Sequence, residues 1–282
     1  MPEPPAHLIE NVPRKPHLTR LGDAGPAEPA SSPARADLWD AGEAYEPFMG
    51  RWSRLVAHKF LNWLALPAGA SWLDIGCGTG AVTQTILADA DPAVVIGTDS
   101  SERYVAYARR QVSDRRASFR TGDARALPVP DASHDAVVSG LVLNFLPDPQ
   151  RAAAEMMRVL RPGGTAAAYV WDYAGNMQLI RHFWNAALAL DPAARVFDEA
   201  ERFPLCRPRP LRALFVDAGF TETDCHAIDV PTVFANFDAL WLPFLGGQGP
   251  APTYCGTLSE QRRAALREGD RKSTRLNSSH RT

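Results

Sequence analysis

Residues 71–80 read Ser-Trp-Leu-Asp-Ile-Gly-Cys-Gly-Thr-Gly. A short apolar run carries an acid, Asp74, and then breaks into a turn with glycine at 76, 78 and 80. Ala81–Ala90 follows with helical spacing, so the stretch predicts strand, tight turn and helix in immediate succession. The same phrase repeats downstream. Val94–Asp99 reads as a second strand, followed by a helix through Val112 that Ser101 or Ser100 can cap. Ala117–Asp123 and Asp135–Leu143 read as the third and fourth strands. Gln150–Leu160 is a helix closed by Arg161-Pro162-Gly163-Gly164, Thr165–Asp172 a fifth strand, and Gln178–Leu190 another helix. Strands alternating with helices of this length specify a doubly wound parallel sheet. Their apolar runs are continuous rather than alternating, as a sheet covered on both faces requires.

Upstream, Phe48, Trp52, Leu55, Val56, Phe60, Trp63 and Leu64 recur at helical spacing within Trp39–Leu66, and Pro67 and Gly69 end that helix. Downstream the pattern loosens. Arg209–Ala218 reads as a helix, Thr221–Val230 has strand character, Phe237–Leu245 is aromatic and helical, and Gly246–Pro252 reads as a loop.

The chain has 282 residues, 45% apolar and 22% charged, with a formal net charge of -2. Such a balance supplies no general basic field, so no nucleic-acid partner is expected. The apolar stretches Leu141–Leu146 and Ala166–Trp171 are far too short to span a membrane. Met1–Leu8 lacks the basic-then-apolar pattern of a secretory leader, so a cytoplasmic location is expected. Cys77, Cys206, Cys225 and Cys255 form no CxxC pair and have no histidine at ligand spacing, which predicts free thiols and no metal site.

Both ends stand apart. Residues 1–36 hold eight prolines and no apolar period, and are read as disordered. Residues 270–282 include Asp-Arg-Lys-Ser-Thr-Arg-Leu-Asn-Ser-Ser-His, which resembles the translation of a sequencing-library adapter, and are read as a non-native tail. The folded domain is therefore expected over 37–269, with a helical lid at 37–66, a ligand-binding core at 71–172 and a further region at 173–257.

Chemistry concentrates at the strand ends. Glycines let the backbone approach a ligand, and the helix behind them offers unpaired N–H groups. A dinucleotide site wants G-x-G-x-x-G with pyrophosphate on the helix N-terminus. Here the spacing is G-x-G-x-G, and the Asp74 carboxylate would repel a pyrophosphate but suit an ammonium group. Asp99 closes the second strand, where a carboxylate can accept both hydroxyls of a ribose. Asp123 closes the third, in Gly122-Asp123-Ala124, where it can accept from an adenine amino group.

These stretches, together with 119–149 and 155–172, resemble the core of class I S-adenosylmethionine (SAM) dependent methyltransferases, within the small-molecule branch that includes the ubiquinone and menaquinone ring methyltransferases. The resemblance covers about Trp39 to Ala265. It implies that SAM is the cofactor, with Gly76, Gly78 and Gly80 at its methionine moiety, Asp99 with Ser100 at the ribose, and Asp123 with Ala124 at the adenine. It implies that Ser139–Leu143 lies beside the sulfonium, with Asn144 where many relatives carry a polar residue. Tyr45, Arg51 and Trp52 resemble the segment that closes over the carboxylate end of SAM. It further implies a Rossmann-like α/β fold, lacking its last strand if the native chain ends near Gly269. A SAM-binding protein without catalysis and a nicotinamide-dependent oxidoreductase are the alternative readings, the second disfavoured by Asp74 and the glycine spacing.

No catalytic base stands out. His182 and Asp172 are the candidates, as Asp172 ends the fifth strand and His182 lies on the helix after it. His134 is expected to be exposed, and His58 to lie on the outer face of the first helix. Phe183, Trp184, Phe234, Phe237, Trp241 and Phe244 either line an apolar, planar acceptor or form core.

Overall fold

The computed structural model describes residues 49–246 and 249–278, all within the unit Asp37–Thr282. The readings for 1–36, for Tyr45 and for the first turns of the upstream helix lie outside the described residues. Helix α1 spans Arg51–Leu64 and buries Trp52, Val56, Ala57, Phe60 and Leu61 on one face. Strand β1 (Ser71–Ile75) enters the glycine turn and helix α2 (Ala81–Asp89). Strand β2 (Val94–Asp99) is followed by α3 (Glu102–Gln111), whose cap is Ser101: its hydroxyl accepts from the Tyr104 N–H. Strands β3 (Ala117–Thr121) and β4 (His134–Gly140), helix α4 (Pro149–Val159), strand β5 (Leu160–Tyr169) and helix α5 (Gln178–Leu190) complete the alternation.

The sheet is parallel, in the order β3-β2-β1-β4-β5. The chain starts at the centre, builds outward through β2 and β3, then crosses to β4 and β5. The reversal lies between β1 and β4, where a doubly wound sheet leaves a crevice beyond its strand ends. On one face Leu73, Ile75 and Val137 pack with α4, and on the other Trp72, Ala136 and Val138 pack with α1 and α2.

The Arg161–Gly164 turn does not separate α4 from β5. The strand begins at Leu160, opposite His134, and the ladder resumes at Thr165 opposite Ala136, so the intervening residues bulge out around Gly163 at φ +79°. That early pairing also corrects the expectation for His134. Its ring is buried against β5, and burial lowers its pKa. His58 is exposed, as expected, and pairs with Asp89.

Beyond β5, α6 (Glu199–Arg202), α7 (Pro208–Asp217), α8 (Phe237–Trp241), α9 (Pro250–Thr257) and α10 (Glu260–Ser278) follow. The loop expected over 246–252 gives way to α9 at Pro250, where proline suits the first helical turn. Phe183, Trp184, Trp241 and Phe244 are core, with Phe183 and Phe244 stacked at 4.6 Å; Phe234 and Phe237 pack on its margin. Buried Glu199 accepts from the Trp184 indole, and burial raises its pKa to about 7.

Two expectations at the end of the chain fare differently. Thr221–Val230 forms no strand; with β5 it lines a groove of about 1270 Å³, and Ile228 and Val230 pack on the cluster that holds Ala167 and Tyr169. Among the described residues no strand pairs with the outer edge of β5. Helix α10 runs on through Ser278, into the residues read as a non-native tail. Leu266 and Asp270, four residues apart, are both buried, and Glu268 pairs with Arg271 and Lys272 one turn on.

Candidate active site

Three carboxylates stand at the ends of β1, β2 and β3, in three different environments. Asp74 is fully buried. Its Oδ2 accepts from the Thr83 hydroxyl at 2.7 Å, and its Oδ1 has no partner among the described residues. Burial raises its pKa to about 7, with nearby Asp99 adding to the rise and Thr83 opposing it. An unpaired buried carboxylate oxygen is costly unless a cation or donor meets it.

Asp99 holds the glycine turn. Its Oδ2 accepts from the Gly78 N–H at 3.0 Å and its Oδ1 from the Ser101 N–H at 2.8 Å. Burial raises its pKa as well. Ser100 is exposed beside it. Asp123 is half-exposed and engaged by its neighbour: Arg125 grips both oxygens, and the Arg125 N–H donates at 2.9 Å, which holds the carboxyl down at about 2. Ala124 packs on the apolar cluster of β1 and α4.

The turn itself needs its glycines. Gly76, Gly78 and Gly80 sit at φ +70°, +51° and +92°, and the N–H groups of Gly76 and Cys77 donate to the Thr98 carbonyl. A Cβ on Gly76 would lie 2.4 Å from Val142 Cγ2, whereas one on Gly78 would meet only the Gly76 carbonyl at 4.0 Å. The space over Gly78 is open to a ligand; that at Gly76 is filled by Val142, just beyond β4. Gly76→Ala is therefore expected to cost about 2–4 kcal/mol, the sum of overpacking and a left-handed alanine. Urea unfolding measures it, and Gly78→Ala should cost less.

At the end of β4, Ser139 is buried and donates to the Ile75 carbonyl at 3.1 Å, tying β4 to β1. Asn144 sits in a short 3-10 turn, Leu143–Phe145, with its Nδ2 buried and without a partner among the described residues. Next to it Phe145 meets Phe203 edge-on at 5.0 Å, and Phe203 meets Tyr173 at 5.8 Å. These rings come from three segments at the carboxyl end of the sheet.

The remaining candidates spread out. The Arg51 guanidinium lies over the Trp52 ring at 4.3 Å and the Phe234 ring at 4.9 Å, beside the β5 groove that Trp52 lines. Asp172 caps its own loop, accepting from the Gly175 and Asn176 N–H groups at 2.9 Å each. His182 faces α10, its Nδ1 2.9 Å from Ser273 Oγ. Sequence reading passed over Thr83, although a hydroxyl in the first turn after the glycines is a visible signal. It also passed over Val142 and the trio of Phe145, Phe203 and Tyr173. Among the described residues no His, Cys, Asp and Glu side chains group to hold a metal, and no helix is long and apolar enough to cross a membrane.

An open space over Gly78, a carboxylate at the end of β2 and an orphaned acid oxygen at β1 thus meet at the carboxyl end of a Rossmann-like sheet. Comparison with known proteins specifies this site. Residues 73–168 match the family described as a methyltransferase domain. A demethylmenaquinone methyltransferase from Roseiflexus sp. is 32% identical over 173 residues, 56% of this chain and 71% of that protein. A 2-methyl-6-phytyl-1,4-hydroquinone methyltransferase from Synechocystis sp. is 27% identical, over 68% of this chain and 61% of that one. Among solved structures, the putative methyltransferase bound to the Haloferax volcanii Trm112 activator superposes with a TM-score of 0.52 at 25% identity, covering 68% of this chain and 80% of that one. The chain belongs to the SAM-dependent methyltransferase family, and its cofactor is S-adenosylmethionine. It spans between 33% and 61% of the length of several other curated relatives.

Proposed function

We propose that this protein transfers the methyl group of SAM to a small, largely apolar and planar acceptor that carries one polar atom near the methyl. The observation that carries the acceptor reading is the trio Phe145, Phe203 and Tyr173 beside the buried, unpartnered Nδ2 of Asn144. Rings at these separations favour a flat apolar molecule, and an amide N–H₂ orients an acceptor oxygen or nitrogen. The quinol-type substrates named for the Roseiflexus and Synechocystis relatives have this chemistry.

When bound, SAM supplies an electrophilic methyl on its sulfonium. The residues then have to hold the two reactants in line, a contribution worth up to about 7–11 kcal/mol. Asp74 meets the cofactor's ammonium, Asp99 the ribose, Asp123 with Ala124 the adenine edge, and Arg51 with Trp52 and Tyr45 the carboxylate end. Asp172 and His182 already serve protein partners, which favours catalysis by positioning over a dedicated base.

Transfer of a labelled methyl group to a panel of quinols, naphthoquinols and simple phenols tests this reading. Transfer to at least one is expected, weakened by Phe203→Ala through KM. Transfer to none by a SAM-binding sample would favour the non-catalytic reading. Asp172→Ala and His182→Ala are each expected to lower kcat by less than about tenfold, because loss of a true general base costs about 100-fold or more.

A further inference from the structure

Asp74 has two oxygens in unlike circumstances, and the residue responsible is Thr83. Thr83 is the third residue of α2, fully buried, and its hydroxyl donates to Oδ2 at 2.7 Å. Its backbone N–H also favours the carboxylate. That N–H is one of the donors a helix leaves unpaired in its first turn, where the helix dipole favours a negative charge. One oxygen is thus anchored while Oδ1 stays unpartnered. We propose that Thr83 is a positioning residue for cofactor binding, fixing the Asp74 carboxylate and keeping it ionised so that Oδ1 meets the cofactor's ammonium group.

This inference rests on the SAM reading of the site. It depends on the groups around Asp74. Asp99 from β2 faces it with a like charge, and Cys77 in the glycine turn is an uncharged thiol whose pKa is itself driven up by burial. Thr98 donates to the Asp74 carbonyl at 3.5 Å, not to its side chain. Thr83 is therefore the side chain that opposes burial and the charge of Asp99. Without its hydroxyl, Asp74 would take up a proton at higher pH, and a protonated acid no longer attracts an ammonium group.

The test is calorimetric binding of S-adenosylhomocysteine from pH 6 to pH 9 to the wild-type chain and to Thr83→Val, Thr83→Ala and Thr83→Ser. Valine and alanine remove the hydroxyl, and serine keeps it. Circular dichroism selects the folded variants. The expected result is affinity that rises with pH through about 7 in the wild type, following Asp74. In the variants without the hydroxyl the rise shifts upward by about one pH unit, a loss of about fivefold at pH 7 that approaches about tenfold at pH 6 and closes at pH 9. Thr83→Ser follows the wild type. Unchanged affinity in Thr83→Val or Thr83→Ala, or an equal loss at every pH and in Thr83→Ser, would overturn the proposal. Should the folded wild type bind no S-adenosylhomocysteine, the cofactor reading falls and this inference with it.

Discussion

Asp99→Ala is expected to weaken S-adenosylhomocysteine binding by about 100-fold or more. Two hydrogen bonds to a charged acceptor are lost, each worth about 1.5–3 kcal/mol, and every 1.4 kcal/mol is tenfold in affinity. The variant also frees the Gly78 and Ser101 N–H groups, so the glycine turn loses its anchor at the same moment. Asp99→Asn does not rescue binding, since an amide N–H₂ would confront one of those N–H donors. Stability should fall modestly, because the two freed N–H groups cost more than is regained by relieving the repulsion of Asp74. Titration calorimetry reads the affinity, and a thermal melt run beside it separates a lost site from a lost fold.

Asp74→Asn is expected to do the opposite to stability while still impairing binding. The native carboxyl titrates near 7, against an ordinary value of 3.8. Between those values the native state holds a proton that the unfolded state has released, so stability falls as pH rises through the window. The cost is complete above pH 7 and absent below about pH 4. A shift of this size corresponds to about 4 kcal/mol as an upper figure. Asparagine keeps the acceptor for Thr83 and never ionises. The ligand-free variant should therefore melt higher than the wild type by about 5 °C or more at pH 8, and by less at pH 5. Its affinity for S-adenosylhomocysteine should drop at least about tenfold, through loss of a charged partner for the ammonium. A wild type that melts at the same temperature as the variant at pH 8 would mean that Asp74 is not held at a cost. A variant that melts higher but binds more weakly would show that the site trades stability for binding, as buried functional groups commonly do.

The sheet was legible in the sequence because each strand and the helix that follows it are adjacent in the chain. Asp74, the three glycines and Asp99 sit at strand ends that the apolar runs mark, and a parallel sheet brings those ends together without further information. What failed to show depends on distant partners. Whether Phe183, Trp184, Trp241 and Phe244 were core or pocket turned on α9 and α10 closing over them. His134 was read as an exposed residue just before the fourth strand, and its burial came from the early pairing of Leu160 across the bulge. Thr221–Val230 has the composition of a strand, yet it meets β5 through side chains such as Ile228 and Val230 rather than through ladder hydrogen bonds. Phe145, Phe203 and Tyr173 come from three segments whose meeting no local period announces. Asp123 was read as a strand-end acid, without the Arg125 that grips it two residues on. That pairing was within reach of the sequence, since an Asx turn brings residue i+2 back onto the carboxylate.

The central claim is that the Asp74–Gly80 turn with Asp99 holds S-adenosylmethionine rather than a dinucleotide. Calorimetric titration of the wild-type chain at pH 8 with S-adenosylhomocysteine, and separately with NADH, tests it most directly. The account predicts saturable one-to-one binding of S-adenosylhomocysteine and no heat of binding with NADH. A folded sample that binds NADH, or that binds neither, would contradict it.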